Sequence, residues 1–296
     1  MQIVEAVGLS EKELSQLFEI NSDFDINNSA LFSTNGIVVN DINESKINNN
    51  KFYYENGIIA FIVMPIKING KLAGTLKLYD RNIRHWTKQE IQIIKIITGQ
   101  LSIMLSNLKY FRTINNAFDQ IINSFSLALE YRDSYTRGHS HRVSLLSTLC
   151  AQEMFLNMSE NSMIKFASMM HDIGKITISE KILLKTKELT VIEWDVIKKH
   201  PMIGVEILSE VSIDEKLIKI IKYHHERWDG KGYPDGLKNV EIPVGSRIIA
   251  VADAYDAMTT DRPYHSTKNH FEAIEELKRC SGTQFDPRIV QVFSAL

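Results

Sequence analysis

The feature that most constrains the fold is an unbroken stripe of apolar residues in the middle of the chain. Thr87 and Glu90 have the spacing of a capping box, which predicts that a helix begins here. Apolar residues then follow at helical spacing with no proline among them: Ile91, Ile94, Ile97, Leu101, Met104, Leu105, Leu108, Phe111, Ile114, Phe118, Ile121, Ile122, Phe125 and Leu129. The periodicity predicts one long helix, or two stacked helices, joining the two halves of the chain. A stripe this long is more typical of a packing seam, here between two copies of the chain, than of a cofactor site.

The segments on either side of the stripe have different patterns. Up to about residue 80 the chain is rich in Asn, Ile and turn residues, and GIIAFIVMPIKINGKLAGTLKLYD predicts two strands joined at Asn69-Gly70. From residue 134 onward one helical pattern follows another, with Pro and Gly confined to the connecting loops. We therefore predict two domains, a small α+β N-terminal domain and an all-α C-terminal domain, joined by a long connecting helix.

Composition excludes several classes of protein. A net charge of −2 argues against general affinity for nucleic acid or an anionic membrane. The longest uncharged apolar run, residues 58–66, is far shorter than a membrane span, and MQIVEAVGLSEKEL has no signal-peptide pattern. Cys150 and Cys280 form no spacing motif, which suggests a reducing compartment. We expect a cytoplasmic protein without membrane insertion and without a nucleic-acid polymer as partner.

The C-terminal half contains eight of the nine histidines, and several lie beside carboxylates in apolar helical patterns. In ASMMHDIGKI, His171 and Asp172 follow a helix that is apolar on most faces, and His200 lies in VIKKHPMIG. Asp253 and Asp256 are three positions apart and share one helix face. A charge in such surroundings needs a partner or a metal ion. Imidazole and carboxylate without thiolate suit iron, manganese or zinc and exclude a cysteine-type zinc site.

Each of these residues also has an ordinary structural explanation. His171 could be a hydrogen-bonded core residue, Asp253 a cap or an ion-pair partner, and His200 the start of a helix. One metal cluster is the better hypothesis, because otherwise each residue would need its own separate partner. The remaining histidines are expected to have ordinary surface or supporting roles: His85, His141, His265 and His270.

At these residues the sequence resembles the HD-GYP subgroup of the HD metal-dependent phosphohydrolases. The matching motifs cover about residues 128–296 in the family's order: DSYTRGHSHRV, HDIGKI, KKHPMIG, HHERWDGKGYP, RIIAVADAYDAMTTDRPY and GTQFDP. The N-terminal half is similar to a GAF domain through VMPIKINGKLAGTLKLYD and the helix after it, in a shortened version without the opening helix and first strand. The resemblance implies a GAF-like sensory or dimerisation domain over residues 1–108, a connecting helix over 109–133 and an HD-GYP phosphohydrolase domain over 134–296.

The resemblance also implies two divalent metal ions, most readily iron or manganese, with Asp172 bridging them. The other ligands fall into two groups, His139, His171 and Asp253 for one ion and His200, His224 and His225 for its neighbour. Consecutive helical residues point about 100° apart, which leaves open whether both members of the His224–His225 pair bind metal. Some family members hold a third ion with a glutamate at the position of Tyr135. Because tyrosine ligates poorly, no third ion is expected.

For the reaction, the resemblance implies hydrolysis of the bacterial second messenger cyclic di-GMP to pGpG and, in some members, on to GMP. Asp172 and Lys175 are the expected catalytic residues, the lysine also binding substrate phosphate. Arg262 could hold a second phosphate or a guanine edge. Asp256 is placed with the substrate-binding residues, and it could also orient a ligand or the attacking water. The residues after DRPY lack the basic character common in the family, which leaves substrate preference open.

The hallmark loop of the resemblance comprises Asp229, Gly230, Gly232, Tyr233 and Pro234. Such a segment could be only a turn, since glycine and proline favour turn conformations. In the family it lies beside the active site and is a proposed docking surface for diguanylate cyclase partners. We expect the loop to hold the preceding histidines toward the metal ions.

Three functions follow from the resemblance. The first is a cyclic di-GMP phosphodiesterase that is regulated by its N-terminal domain and dimerises through the connecting helix. The second is a phosphodiesterase for a hybrid cyclic GMP-AMP. The third is a catalytically weak cyclic-dinucleotide receptor or adaptor. The presence of every expected ligand favours an enzyme.

Overall fold

The computed structural model describes residue 7 and residues 36–44, 51–132, 138–185, 187–211, 213–260 and 267–296. The chain divides into two compact units, Met1–Asn116 and Ala117–Leu296. The predicted loss of an opening helix and first strand falls on the segment before residue 36, of which only residue 7 is described.

The first unit contains a three-stranded antiparallel sheet in the order β1-β2-β3, with β1 at Ile37–Val39, β2 at Ala60–Ile68 and β3 at Lys71–Asp80. The predicted hairpin is confirmed: β2 pairs with β3, and the turn residues Asn69 and Gly70 both have positive φ. A 3-10 turn at Ile42–Glu44 and the short helix α1 at Lys51–Glu55 lie between β1 and β2.

Side chains of β2 alternate between two small cores, as the pleat of a strand requires. Phe61 and Val63 pack in one core with Tyr53, and the rings of Tyr53 and Phe61 stack at 4.7 Å. Ile62 and Met64 pack on the other face with Ile94 of the following helix. The sheet is therefore covered on this second face by a helix.

That helix, α2 at Lys88–Arg132, is one continuous helix of 45 residues and is called the connector helix below. The predicted capping box is present, because the Glu90 carboxylate accepts the Thr87 N–H at 2.8 Å and the Thr87 hydroxyl accepts the Glu90 N–H at 3.2 Å. By length and composition, an 18-residue stretch of this helix could cross a membrane. Against that interpretation, Ile94 packs on the sheet and the Ser102 hydroxyl accepts the Lys67 N–H at 3.0 Å.

In the described part of the second unit the regular secondary structure is helical, as predicted. One isolated bridge joins Ser281 and Phe285. The helices of this unit are α3 at His139–Glu153, α4 at Met158–Met170, α5 at Glu180–Leu183, α6 at Val191–Ile197, α7 at His200–Ser209, α8 at Glu215–Lys222, α9 at Val244–Thr259, α10 at His270–Arg279 and α11 at Pro287–Phe293, with 3-10 turns at Ile173–Thr177 and Asn239–Glu241.

Helices α3, α4 and α9 pack against one another and form the centre of this unit. Their contacting faces carry small and branched side chains that are fully buried, including Val143, Ala167, Ile248, Ile249 and Ala252. Polar residues with an affinity for metal ions lie mainly at the ends of the helices rather than along these faces. The packing thus brings several helix ends to one place.

Candidate metal centre

Seven imidazole and carboxylate side chains converge in the second unit. In each of two groups the donor atoms all lie within 4.8 Å of one another: Asp172, His200, His224 and His225 in the first group, and His139, His171 and Asp253 in the second. These are the seven residues that the family resemblance implies, divided between the same two groups. Either group could hold a metal ion, since neutral imidazole and carboxylate oxygen are ligands of iron, manganese and zinc.

Three of the histidines are oriented by the same kind of hydrogen bond at a helix end. The Nδ1 atoms of His171, His200 and His224 lie 2.7, 2.7 and 2.6 Å from the carbonyl oxygens of Ser168, Ile197 and Ile221, in each case three residues earlier. A carbonyl oxygen can only accept a hydrogen bond, so Nδ1 carries the proton in each ring. The lone pair of Nε2 is therefore available for a metal ion.

The positions of these Nε2 atoms fit a cation. The Nε2 atom of His171 is buried without a hydrogen-bond partner, and this residue is only 1% exposed. The Nε2 atoms of His200 and His224 lie 3.3 Å apart. Two lone pairs cannot satisfy each other at this distance, and an unsatisfied buried polar group is costly. One metal ion in each group would satisfy these atoms, His171 in one group and His200 and His224 in the other.

Asp172 lies between the two groups. Its Oδ1 atom is 3.3 Å from His200 Nε2, and its Oδ2 atom is 3.4 Å from His171 Nε2. Each carboxylate oxygen thus faces a histidine of a different group, which is the arrangement that a bridging ligand needs. Burial would raise the pKa of Asp172, but the positive charge of Lys175 outweighs burial and holds this pKa well below its usual value.

His139 is oriented by a buried carboxylate. Its Nδ1 atom is 2.7 Å from Asp256 Oδ2, and its Nε2 atom is 3.3 Å from Asp253 Oδ1. Arg142 donates to Asp256 Oδ1 at 2.5 Å and to Asp256 Oδ2 at 3.1 Å. Asp256 is 3% exposed and both of its oxygens are engaged, so its placement favours orienting His139 over contacting substrate. Arg142 was missed by sequence reasoning, although it lies three residues after His139 on the same helix face.

Neutral imidazoles favour metal binding in one group, whereas a protonated His139 opposes it in the other. Burial lowers the pKa of His200 to about 4 and that of His225 to about 3, so both rings are neutral at pH 7. Burial would also lower the pKa of His139, but hydrogen bonds to Asp253 and Asp256 outweigh it and raise this pKa to about 10. A metal ion bound at Asp253 would therefore displace a proton from His139.

Lys175 extends from the 3-10 turn after Asp172 and is half-buried, with its Nζ atom 2.7 Å from Asp172 Oδ2. The turn lies directly on helix α7. A Cβ atom at Gly174 would collide with the backbone of His200 and Gly204, so only glycine allows this approach. The close contact holds Asp172 and His200 in neighbouring positions.

The hallmark loop folds back on the paired histidines. The ring of Tyr233 stacks on His225 with centroids 4.8 Å apart. Gly230 has a φ of 77°, and a Cβ atom at Gly232 would collide with the backbone of Arg227. Asp229 accepts from the Arg227 guanidinium at 3.1 and 2.9 Å. The loop thus contacts His225 directly, and the expectation that it holds the histidines toward the metal ions stays a prediction.

Glu226 also ties this loop down, and sequence reasoning missed it. It is buried, and its Oε1 atom accepts the N–H groups of Asp235 and Gly236 at 2.8 and 2.9 Å. In the sequence, the signal for a role of Glu226 is its position directly after His224 and His225.

Other residues singled out from the sequence lie elsewhere. His85, His141 and His270 are exposed and belong to neither group of ligands. Tyr135 falls in the segment 133–137 and Arg262 and His265 in the segment 261–266, outside the described residues. The third-metal position and the expected arginine contact therefore remain predictions.

Comparison with known proteins defines the class. The HD domain family matches residues 123–289, and the GAF domain family matches residues 5–105. Because the first match covers more than half of the 296 residues, the chain belongs to the HD-domain family. The resemblance of the two halves to GAF and HD domains is thereby confirmed.

Relatives within this class have named activities. A cyclic di-GMP phosphodiesterase of Thermotoga maritima is 40% identical over 64% of this chain and 52% of the relative. The cyclic di-GMP phosphodiesterase response regulator RpfG of Xanthomonas campestris is 40% identical over 58% of this chain and 46% of the relative. The 3'3'-cGAMP-specific phosphodiesterase 2 of Vibrio cholerae is 33% identical over 68% of this chain and 39% of the relative. The chain thus spans about half the length of the relatives it matches.

Proposed function

We propose that this protein is a metal-dependent phosphodiesterase that hydrolyses cyclic di-GMP to linear pGpG, with GMP as the product of a second hydrolysis. The observation that carries the proposal is the pair of facing ligand groups with Asp172 between them. Relatives named as cyclic di-GMP phosphodiesterases support the choice of substrate.

Two ions, iron or manganese, would be held by the seven residues of the two ligand groups, with Asp172 shared. When bound, such ions lower the pKa of water toward neutrality and neutralise charge on phosphate oxygens. Both members of the His224–His225 pair belong to one group, which supports a ligand role for each. We propose no third ion, because tyrosine at position 135 is a poor ligand.

The protein's own residues would serve the reaction in three ways. Asp256 holds the His139 ring so that Nε2 faces the centre. Lys175 forms an ion pair with Asp172. Its side chain is long enough to contact a phosphate oxygen, and its positive charge would stabilise the negative charge that develops there. Arg262 would hold the second phosphate or a guanine edge. Hydrolysis adds water across one P–O3′ bond, so phosphorus gains an oxygen and the 3′-oxygen gains a proton.

A second candidate substrate is a hybrid cyclic GMP-AMP. It is favoured by the likeness to the 3'3'-cGAMP-specific phosphodiesterase 2 of Vibrio cholerae. The chemistry at phosphorus would be the same, and only recognition of the second base would differ. A receptor that binds the dinucleotide without hydrolysing it is the third candidate.

The connector helix is the proposed dimer interface. Its exposed apolar side chains recur at spacings of three, four or seven residues, as in a coiled-coil seam: Ile97, Met104, Leu108, Phe111, Ile114, Phe118, Ile121 and Phe125. A second copy of the chain would present the same seam and could cover it. An exposed apolar surface of this length is unusual unless it is an interaction site.

A diguanylate cyclase is the proposed protein partner, docking on the hallmark loop. Lys231 within this loop and Asp235 and Gly236 directly after it are exposed, while Tyr233 stacks on His225. The loop thus offers a surface beside the metal centre without uncovering the ligands. We place this signalling role in the cytoplasm.

The test of function is a turnover assay on the full chain, loaded anaerobically with Fe²⁺ or Mn²⁺. Cyclic di-GMP and 3'3'-cGAMP are supplied separately and in competition, and the products are identified by mass spectrometry. Faster conversion of cyclic di-GMP to pGpG or GMP supports the proposal. Faster conversion of 3'3'-cGAMP selects the second candidate. Full metal content with binding but no turnover of either selects the receptor.

A further inference from the structure

The last turn of the connector helix reaches the residue that begins helix α3. Glu130 is 7% exposed, and its carboxylate accepts the Gly138 N–H at 2.6 Å and the Ser140 N–H at 3.0 Å. These two N–H groups lie on either side of His139. The carboxylate therefore holds the backbone that carries a metal-centre histidine, without touching the imidazole ring.

The N-cap residue of helix α3 provides no side-chain cap, and among the described residues Glu130 takes that role. Its N-cap is Gly138, which has a φ of 73° and no side chain to accept a hydrogen bond. The first N–H groups of a helix need acceptors from outside the helix, and a negative charge there is further stabilised by the helix dipole. Glu130 supplies both the acceptor and the charge from another helix.

The same turn also holds the other side of the metal centre. The guanidinium of Arg132 donates to the carbonyl oxygen of Ile176 and, at 3.2 Å, to that of Ile178. These carbonyls belong to the segment that continues from Lys175. Through Glu130 and Arg132, one helical turn contacts the backbone of two segments that contribute residues to the centre.

The part of the connector helix that carries this turn is seated on the second unit. Ile122 and Ser126 are buried there, and Asp119 forms an ion pair of 2.9 Å with Lys165 of helix α4. A rotation or axial shift of the helix end would therefore move Glu130 relative to Gly138 and Ser140. His139 would move with them.

We propose that Glu130 is a positioning residue of the metal centre. It holds His139 in ligating position, so that the last turn of the connector helix sets the affinity of the group formed by His139, His171 and Asp253. This inference rests on the metal-binding part of the proposed function and is independent of the substrate. It gives the N-terminal domain a physical route to the active site.

The test is Mn²⁺ binding to the full-length Glu130→Gln variant, measured by equilibrium dialysis with metal analysis and by electron paramagnetic resonance. Glutamine keeps the side-chain volume but presents an NH₂ group to one of the two N–H donors. We expect one ion to bind about 10- to 100-fold more weakly, the usual cost of removing a partner that orients a metal ligand. The spectrum should change from that of coupled ions to that of an isolated ion.

A matched control is Glu272→Gln, the same change at the N-terminus of α10, where Glu272 accepts the Asn269 N–H at 2.8 Å. It should leave both Mn²⁺ affinities unchanged. Two ions bound to Glu130→Gln with the affinities and spectrum of the unaltered protein would overturn the inference, whatever the activity. Failure of the unaltered, Mn²⁺-loaded protein to hydrolyse any cyclic dinucleotide would instead overturn the proposed function and leave the role of Glu130 standing.

Discussion

The Nε2 atoms of His200 and His224 face each other at 3.3 Å, while the Nδ1 atom of each ring is committed to a backbone carbonyl. Two acceptor atoms held this close destabilise the metal-free protein, because neither can hydrogen-bond the other. Helix packing imposes this contact, and a cation bound by both atoms would relieve it.

Metal binding should raise the thermal stability of the protein markedly. Free Mn²⁺ at 100 times its dissociation constant stabilises a folded protein by about 2.7 kcal/mol for a single site. The melting temperature should therefore rise when Mn²⁺ is added to metal-free protein, as measured by differential scanning calorimetry. The variant His224→Gln should show a much smaller rise, whereas the exposed His141→Gln should behave like the unaltered protein. An equal rise in all three would contradict the ligand assignment.

Asp256→Asn should weaken metal binding without changing any ligand. Asparagine keeps the shape of the side chain but lowers its strength as an acceptor for His139 Nδ1 and removes the charge that pairs with Arg142. We expect an affinity loss of about 10- to 100-fold at one ion, measured by calorimetric titration with Mn²⁺. Asp195→Asn, which alters an exposed ion pair with Lys198, is the control and should have no effect. Full affinity in Asp256→Asn would show that the carboxylate is not needed to orient His139.

Acid should destabilise the metal-free protein in a definite window. The pKa of His225 is lowered by burial to about 3, and that of His200 to about 4. Below pH 6.5 these histidines bind protons in the unfolded chain but not in the folded one, so stability falls as the pH drops from about 6.5 toward 4. Each group contributes about 1.4 kcal/mol per pH unit in that window.

The contribution of His139 to stability has the opposite pH dependence. Its pKa is raised to about 10, so its contribution to stability is complete below pH 6.5 and is lost as the pH rises from about 6.5 to 10. Urea unfolding of metal-free protein from about pH 4 to 10 measures both pH dependences. Below pH 6.5, replacing His225 by Gln should reduce the slope of the free energy of unfolding against pH by about 1.4 kcal/mol per pH unit. An unchanged slope in that variant would refute the assignment of this contribution to His225.

Lys175→Met should separate catalysis from metal binding. Methionine preserves the length of the side chain but cannot neutralise charge on a phosphate. Loss of one such group typically lowers kcat by about 100- to 1,000-fold. Metal analysis should still find both ions, because Lys175 is not a ligand. Loss of the ions together with the activity would mean that the pairing of Lys175 with Asp172 is needed to hold the metal centre.

A charge placed in the seam of the connector helix should dissociate the proposed dimer. Phe111→Glu would bring two buried carboxylates together in the dimer, which is unfavourable. Light scattering after size-exclusion chromatography should show a dimer for the unaltered chain and a monomer for the variant. Lys109→Glu, an exposed change on the same helix, is the control and should leave the dimer intact. A monomer in the unaltered protein would contradict the seam as a contact between copies.

Local patterns in the sequence predicted much of the fold. The period of the connector helix and the Asn69-Gly70 hairpin depend on residues close together in the chain, and both are observed. The ligand residues were named from motifs, and helix packing brings them together.

The supporting groups were harder to predict. Glu130 acts on backbone N–H groups and Arg142 on a carboxylate 114 residues away, so neither contact leaves a local pattern. Asp256 was placed on the correct helix face, but only the packing of α9 on α3 reveals that His139 and Arg142 occupy its oxygens.

The most direct test of the two-ion centre is the stoichiometry of Mn²⁺ in the full chain and in Asp172→Asn. Metal-free protein is titrated with Mn²⁺, and bound metal is measured by mass spectrometry together with the electron paramagnetic resonance spectrum. The facing ligand groups predict two ions per chain with a coupled spectrum, and loss of both the coupling and at least one ion in Asp172→Asn. One ion or none in the unaltered protein, or a coupled pair that survives Asp172→Asn, would contradict a centre bridged by Asp172.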